Sequence, residues 1–344
     1  MGVRVYIISI LFIILISCKK EEASPNGAAN LSERAVMILN EGNFRSANAS
    51  LSVYYPQANE VHQDQYSRAN QGVPLGDVAQ SLSLINGNYW LLVNNSSRIE
   101  VLDPNNLQAI GRVSGLNSPR YCIAGPNQKV YVSDLYEKVI YVVDANNYGL
   151  SKRIATQGWT EEMVLLDDRL FVCQADSNWV LVINTTNDSL EHRIPTAKQP
   201  LSMVLDNHNM LWVACSGGIN DSEPALMKID PASLSIELDL RVPDASLSIG
   251  DLDTSPDGSH LFFSMGDIYK MNVSDTSLPT VPWHQNPTAN YYAMGVDPIS
   301  GEVYLSDAID YTQDGIVYRL DPDAKLISQF KVGLIPGFFY FEVP

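Results

Sequence analysis

Six times along the chain an alternating apolar run closes on Asp or Asn. The runs are Ile99-Glu100-Val101-Leu102-Asp103, Ile140-Tyr141-Val142-Val143-Asp144, Val180-Leu181-Val182-Ile183-Asn184, Leu226-Met227-Lys228-Ile229-Asp230, Ile268-Tyr269-Lys270-Met271-Asn272 and Val317-Tyr318-Arg319-Leu320-Asp321. Alternation with period two predicts a strand in each run. The closing residues recur at intervals of roughly 40 to 50, the repeat length of an all-strand propeller blade.

A further strand precedes each run and starts just after a turn signal. Asn86-Gly87-Asn88 leads into residues 89–93, Pro126-Asn127 into 129–132, and Asp167-Asp168 into 170–172. Asn207-His208-Asn209 leads into 211–213, Pro256-Asp257-Gly258 into 261–263, and Ser300-Gly301 into 303–305. Asn and Gly at these places supply the positive φ of tight reversals, and the β-branched and aromatic runs suit a pleated surface. After each closing acid comes another turn and a polar strand, such as residues 108–113, 150–154 and 190–194. A polar last strand is what an outer blade edge facing water requires. No helical period of useful length is present.

The two ends of the chain complete the count. Residues 35–40 look like a second strand with no first strand before it, and the tail 337–343 like a first strand with no blade after it. Joined, they form a seventh blade and leave the ring without open edges. The predicted fold is therefore all-β, a seven-bladed β-propeller of four-stranded antiparallel blades closed by N- and C-terminal strands sharing one blade. At 344 residues, with 45% hydrophobic and 18% charged content, the chain is large enough for such a domain.

Residues 1–17 stand apart. Arg4 is followed by an apolar run from Val5 to Ile16, too short for a stable span, which ends in Leu15-Ile16-Ser17-Cys18. This resembles a bacterial lipobox, which implies a signal peptide over 1–17 and a lipid on Cys18. Residues 18–34, with Lys19-Lys20-Glu21-Glu22 and then a Ser-, Pro-, Gly-, Asn- and Ala-rich stretch, form a tether, and 35–344 the propeller. The charged residues behind Cys18 resemble export signals that carry lipoproteins of Gram-negative gut bacteria to the outer face of the outer membrane.

Charge and composition then narrow the partners. Net charge is −17, and loss of residues 1–17, which hold only Arg4, leaves −18. Nucleic acid is excluded as a natural partner, and anionic lipid would be repelled, so membrane attachment rests on the lipid at Cys18. Cys122, Cys173 and Cys215 sit in or at the ends of apolar strands and are expected as buried free thiols. Among the five histidines and four cysteines there is no metal-ligand spacing, no GxSxG, no P-loop and no dinucleotide fingerprint. Residues 310–315 lack the alternating oxygen ligands and closing glutamate of a calcium loop. The expectation is a protein that is not an enzyme, with no metal site and no required cofactor.

Blade topology says where a ligand would sit. Loops joining second to third strands share a face with the blade-to-blade loops and surround the channel mouth; the short Asn-Gly, Pro-Asn and Asp-Pro turns lie opposite. The mouth loops are longer and mix aromatics with amides. The candidate ligand-binding residues are Asn43, Phe44, Asn94, Arg98, Asp134, Tyr136, Trp159, Glu161, Gln174, Trp179, Tyr291, Tyr292, Asp307 and Tyr311, with Arg120 and Tyr121 at the start of an inner strand. Rings that cover apolar faces and amides that answer peripheral polar groups suit a large, flat, polar-edged ligand, a corrinoid or a glycan.

The repeat wording from Val130 to Asn147 resembles the YVTN family of surface propellers. The opening Val36-Met37-Ile38-Leu39-Asn40-Glu41-Gly42-Asn43-Phe44, followed by residues 49–54, is similar to that of YncE-like lipoproteins of gut bacteria, a group that includes surface proteins capturing cobalamin. That resemblance implies a lipid-anchored, surface-exposed outer-membrane protein that binds cobalamin or a related corrinoid and passes it to a TonB-dependent transporter. Glycan binding, protein interaction and a lactonase- or quinoprotein-type enzyme are the alternatives.

Overall fold

A strand pattern with apolar residues on both faces must be covered on both sides, and a ring of blades does this without layers of helix. The computed structural model describes residues 34–343; the expected signal peptide over 1–17, Cys18 and nearly all of the expected tether lie outside the described residues. Seven antiparallel sheets follow one another round a central channel.

Blade 1 joins the chain ends: from the channel outward it runs Pro336–Phe341, Val36–Asn40, Ser50–Tyr55 and Glu60–His62. Blades 2 to 5 take their strands in sequence order, starting from the inner strands Ala79–Ile85, Pro119–Ala124, Thr160–Leu166 and Pro200–Leu205. Blade 6 begins with Gly250–Thr254 and blade 7 with Tyr291–Val296. The closure has the predicted form, with Met37 opposite Tyr340 and Ile38 opposite Phe339 on one side and Val53 and Ser52 on the other. The six sequence runs are the third strands of blades 2 to 7.

Blade 6 differs at its outer edge. It has three strands among the described residues, and where a fourth would lie the chain makes one bridge, Ile268 to His284. Pro279, Pro282 and Pro287 fall in this stretch, and proline has no N–H to give a ladder.

The core is divided as the ring demands. Seven apolar clusters fill the seven blade junctions; at the closing junction Val36, Ile38 and Tyr54 pack with Tyr304, Val317, Val332 and Phe339. Cys122, Cys173 and Cys215 are buried and unbridged, and burial pushes the Cys122 and Cys215 thiols up to about 12.

Candidate ligand site at the channel mouth

Each inner strand enters the ring at the mouth face and breaks its pairing at once. In blade 2, Ala79 faces Val93 and Ser81 faces Leu92, so Gln80 has no opposite residue. The same slip leaves out Leu201, Asp251, Tyr292 and Gly337 in blades 5, 6, 7 and 1, and the pairs Arg120-Tyr121 and Glu161-Glu162 in blades 3 and 4. A β-bulge re-aims the side chain it carries. Seven at one height turn the first residues of the inner strands toward the channel.

Four of the side chains so presented, with Glu41 from the loop after Val36–Asn40, form two hydrogen-bonded groups drawn from five blades. Arg120 Nε donates to Glu161 Oε2 at 2.7 Å, and its Nη1 meets Gln80 Oε1. On the other side Tyr292 Oη donates to Glu41 Oε2 at 2.9 Å. Glu41 fills the space above Gly337, where an added Cβ would lie 2.5 Å from its Oε1. Burial raises the Glu41 carboxyl against the opposing pull of Tyr292 and Arg120, and raises Glu161 although Arg120 pairs with it. Burial also works against the Arg120 charge, but Glu161 and its neighbours hold the guanidinium firmly protonated.

Below this ring lies a hollow of about 240 Å³ lined by Tyr121, Glu162, Ser202, Asp251, Asp253 and the blade 1 phenylalanines. Ser202 Oγ and the Met203 N–H donate to Glu162 at 2.7 and 3.0 Å. Burial nevertheless pushes the Glu162 carboxyl up to about 8; burial and Asp253 push Asp251 up to about 7, and burial takes Asp253 to about 6. Near neutrality Glu162 therefore keeps its proton and Asp251 keeps it about half of the time, which lets several carboxyls share one narrow passage.

Above the ring the mouth is aromatic. Phe44, Tyr136, Trp159 and Tyr311 are 62%, 55%, 39% and 43% exposed, and all four lie on mouth-face loops. They form two groups. At the junction of blades 7 and 1, Asn43 Nδ2 donates to the Tyr311 carbonyl at 2.6 Å, Arg45 lies over Phe44, and Tyr311 meets Tyr292 edge-on at 5.9 Å. At the junction of blades 3 and 4, Tyr136 meets Trp159 edge-on at 5.8 Å. The two junctions stand three blades apart one way and four the other, almost opposite across the mouth.

The sequence-predicted residues divide between this site and the framework around it. Phe44, Tyr136, Trp159 and Tyr311 are exposed at the mouth, Asn43 braces one aromatic group, and Arg120, Tyr121, Glu161 and Tyr292 line the channel. Gln174 is buried at the mouth end of its strand with Oε1 unpartnered. The others are committed elsewhere. Asn94 Nδ2 donates to the Pro119 carbonyl, and Arg98 pairs with Glu100 and the Leu75 carbonyl. Asp134 and Asp307 accept backbone N–H groups of their own loops and of the segments that enter their blades, at Ser118 and Asn290. Trp179 packs on the core between blades 3 and 4, and the Tyr291 hydroxyl bonds the His284 ring at 2.9 Å.

The sequence does not single out Gln80, Glu162, Asp251 and Asp253, whose signal is a polar residue in an inner strand, read as ordinary solvent-facing alternation until the bulge is seen; Glu41 lies in the mouth loop after Val36–Asn40 and is not among the candidates. Among the described residues no three of His, Cys, Asp and Glu gather as metal ligands.

A family model described as a domain of unknown function, DUF5074, matches residues 34–335. The chain belongs to this DUF5074 family. No curated protein matches it. Solved propellers do: a quinonprotein alcohol dehydrogenase-like protein of Bacteroides thetaiotaomicron at TM-score 0.72 and 15% identity, covering 91% of this chain and 79% of that one. A functionally unknown protein from Desulfotomaculum acetoxidans aligns at TM-score 0.66 and 11% identity, over 90% and 99% of the two chains. Virginiamycin B lyase from Staphylococcus aureus aligns at 0.61 and 14%, over 78% and 91%. At these identities the likeness concerns the fold, which hosts both enzymes and proteins of other kinds.

Proposed function

We propose that this DUF5074 propeller is a binding protein, anchored by lipid on Cys18 to the outer-membrane surface, that captures a corrinoid at the channel mouth and passes it to a TonB-dependent transporter. The observation that carries the reading is the placing of all four exposed aromatics among the described residues on one face, in two groups almost opposite across the channel. Such rings cover the faces or edges of a broad ligand, and the polar ring of Gln80, Arg120, Glu161, Glu41 and Tyr292 meets a group projecting from its centre. The ring is braced by its own bonds, so binding requires little ordering of the site. The anchor and the transporter rest on the lipobox and on the family resemblance of the opening residues.

Purified full-length protein should carry the red colour of cyanocobalamin through gel filtration with no added metal. Cys18→Ala should keep that colour and leave the membrane fraction. Colourless protein at high micromolar ligand removes the corrinoid, and lipid incorporation by Cys18→Ala removes the anchor.

A further inference from the structure

The internal repeat supplies its own controls, because each blade junction can be compared with the others. At the junction of blades 3 and 4, on the face away from the mouth, Lys129 Nζ reaches across to Asp188 at 2.8 Å and the Tyr131 hydroxyl donates to the same carboxylate at 2.6 Å. At the junction of blades 5 and 6, Lys228 lies over the Trp212 ring and donates to the Val273 carbonyl. At the junction of blades 7 and 1, Arg319 joins Glu302 to the Pro56 carbonyl. Each of these gaps is closed by a cation with a partner on both sides or an aromatic beneath it.

The junction of blades 4 and 5 has the same backbone and lacks the closure. Arg169 stands where Lys129 does, but on the turn it reaches it bonds the Pro231 and Ala232 carbonyls, at 3.0 and 3.2 Å, while the Asp230 carboxylate is taken up by Ala232 and Ser233. The counterpart of Asp188 is Leu234: each is the fourth residue after its closing Asn184 or Asp230, and each has φ near +60° (55° and 63°). The counterpart of Tyr131 is Phe171, which has no hydroxyl. What remains is a hollow of about 600 Å³, within the range of small-molecule sites and more than twice the volume of the one in the channel.

Its lining sets the chemistry. Phe171 and Met210 give an apolar floor; Asp167, Asp168, Glu191, Asp230 and His208 stand round the rim with Arg169. Arg169 has no carboxylate partner, and among the described residues neither the Asp168 carboxylate nor the His208 ring has a hydrogen bond. Glu191 accepts one bond, from Asn184 Nδ2 at 2.9 Å. An anion would meet those carboxylates and a chain of net charge −17, and a cation would meet the Arg169 guanidinium, which pairs with none of them. A neutral ligand bearing several hydroxyls gives protons to Asp168 and Glu191, accepts them from Arg169 and lays its C–H face on the floor. We propose that this hollow binds a neutral saccharide unit, on the face opposite the channel mouth.

The test is saturation-transfer NMR of the full-length protein with maltotriose, cellotriose and xylotriose at about 5 mM each, in the range where weak sugar binding is measurable. At least one should receive saturation. Asp168→Asn combined with His208→Ala, whose side chains carry no framework bond, should weaken it about tenfold with an unchanged unfolding temperature. Trp159→Ala at the mouth should leave it unchanged. Saturation of none of the three, binding indifferent to the double substitution, binding lost with Trp159, or binding of glucuronate or glucosamine alone would each overturn the proposal.

Discussion

At the scale of single residues, the channel holds more carboxyls than it has cations to match. Glu162, Asp251 and Asp253 face one another below the Arg120–Glu161 pair, and burial lifts the three to about 8, 7 and 6. For an acid raised in the folded state the sign is fixed. Below about pH 4 both states are protonated and the group costs nothing; between pH 4 and 8 the unfolded chain releases its proton first, so stability falls as pH rises. Glu162→Gln with Asp251→Asn removes this penalty while keeping the acceptor used by Ser202 and Met203. The double variant should unfold several degrees above the parent at about pH 8 and level with it at about pH 4. An equal gain at both pH values, or none at pH 8, would contradict this account of the channel.

The strands show what a sequence makes visible and what it hides. The second and third strands of blades 2 to 7 were legible because the runs ending at Asp103, Asp144 and their counterparts alternate cleanly and are punctuated by turns such as Asn86-Gly87. The closing strand was legible too, because Phe338 to Phe341 had nothing else to pair with. Of the other inner strands the sequence showed the start at Arg120-Tyr121 and little else. One extra residue at Gln80 or Asp251 leaves composition and alternation nearly unchanged, yet it moves a side chain from the blade to the channel. The loops hid a different feature: Asn94, Asp134 and Asp307 have the residue types of ligand contacts, and the backbone groups that claim them come from distant or reversing segments. Blade 1 also carries a direct test of the closure. Removal of residues 338–344 takes away Phe339, 7% exposed in the closing core, and bares the N–H and C=O edge of Val36–Asn40. Loss of that burial and pairing costs several kcal/mol. The truncated protein should unfold well below the parent or fail to fold, and an unchanged melting temperature would contradict the shared blade.

As a whole molecule, the ring makes two unlike faces from one repeat. Loops on one face carry every exposed aromatic among the described residues; turns on the other are short, capped by their own acids as at Asp103, Asp144 and Asp230, and part at the hollow between blades 4 and 5. The central claim is that the aromatic face receives the ligand. Calorimetric titration of cyanocobalamin tests it most directly when the parent is compared with Tyr136→Ala/Trp159→Ala and, on the opposite face, Asn127→Ala. The account predicts heat with the parent, affinity lower by more than about tenfold, or roughly 1.4 kcal/mol, in the mouth variant, and parental affinity in Asn127→Ala. No heat with the parent, or equal affinity in the mouth variant, would contradict it.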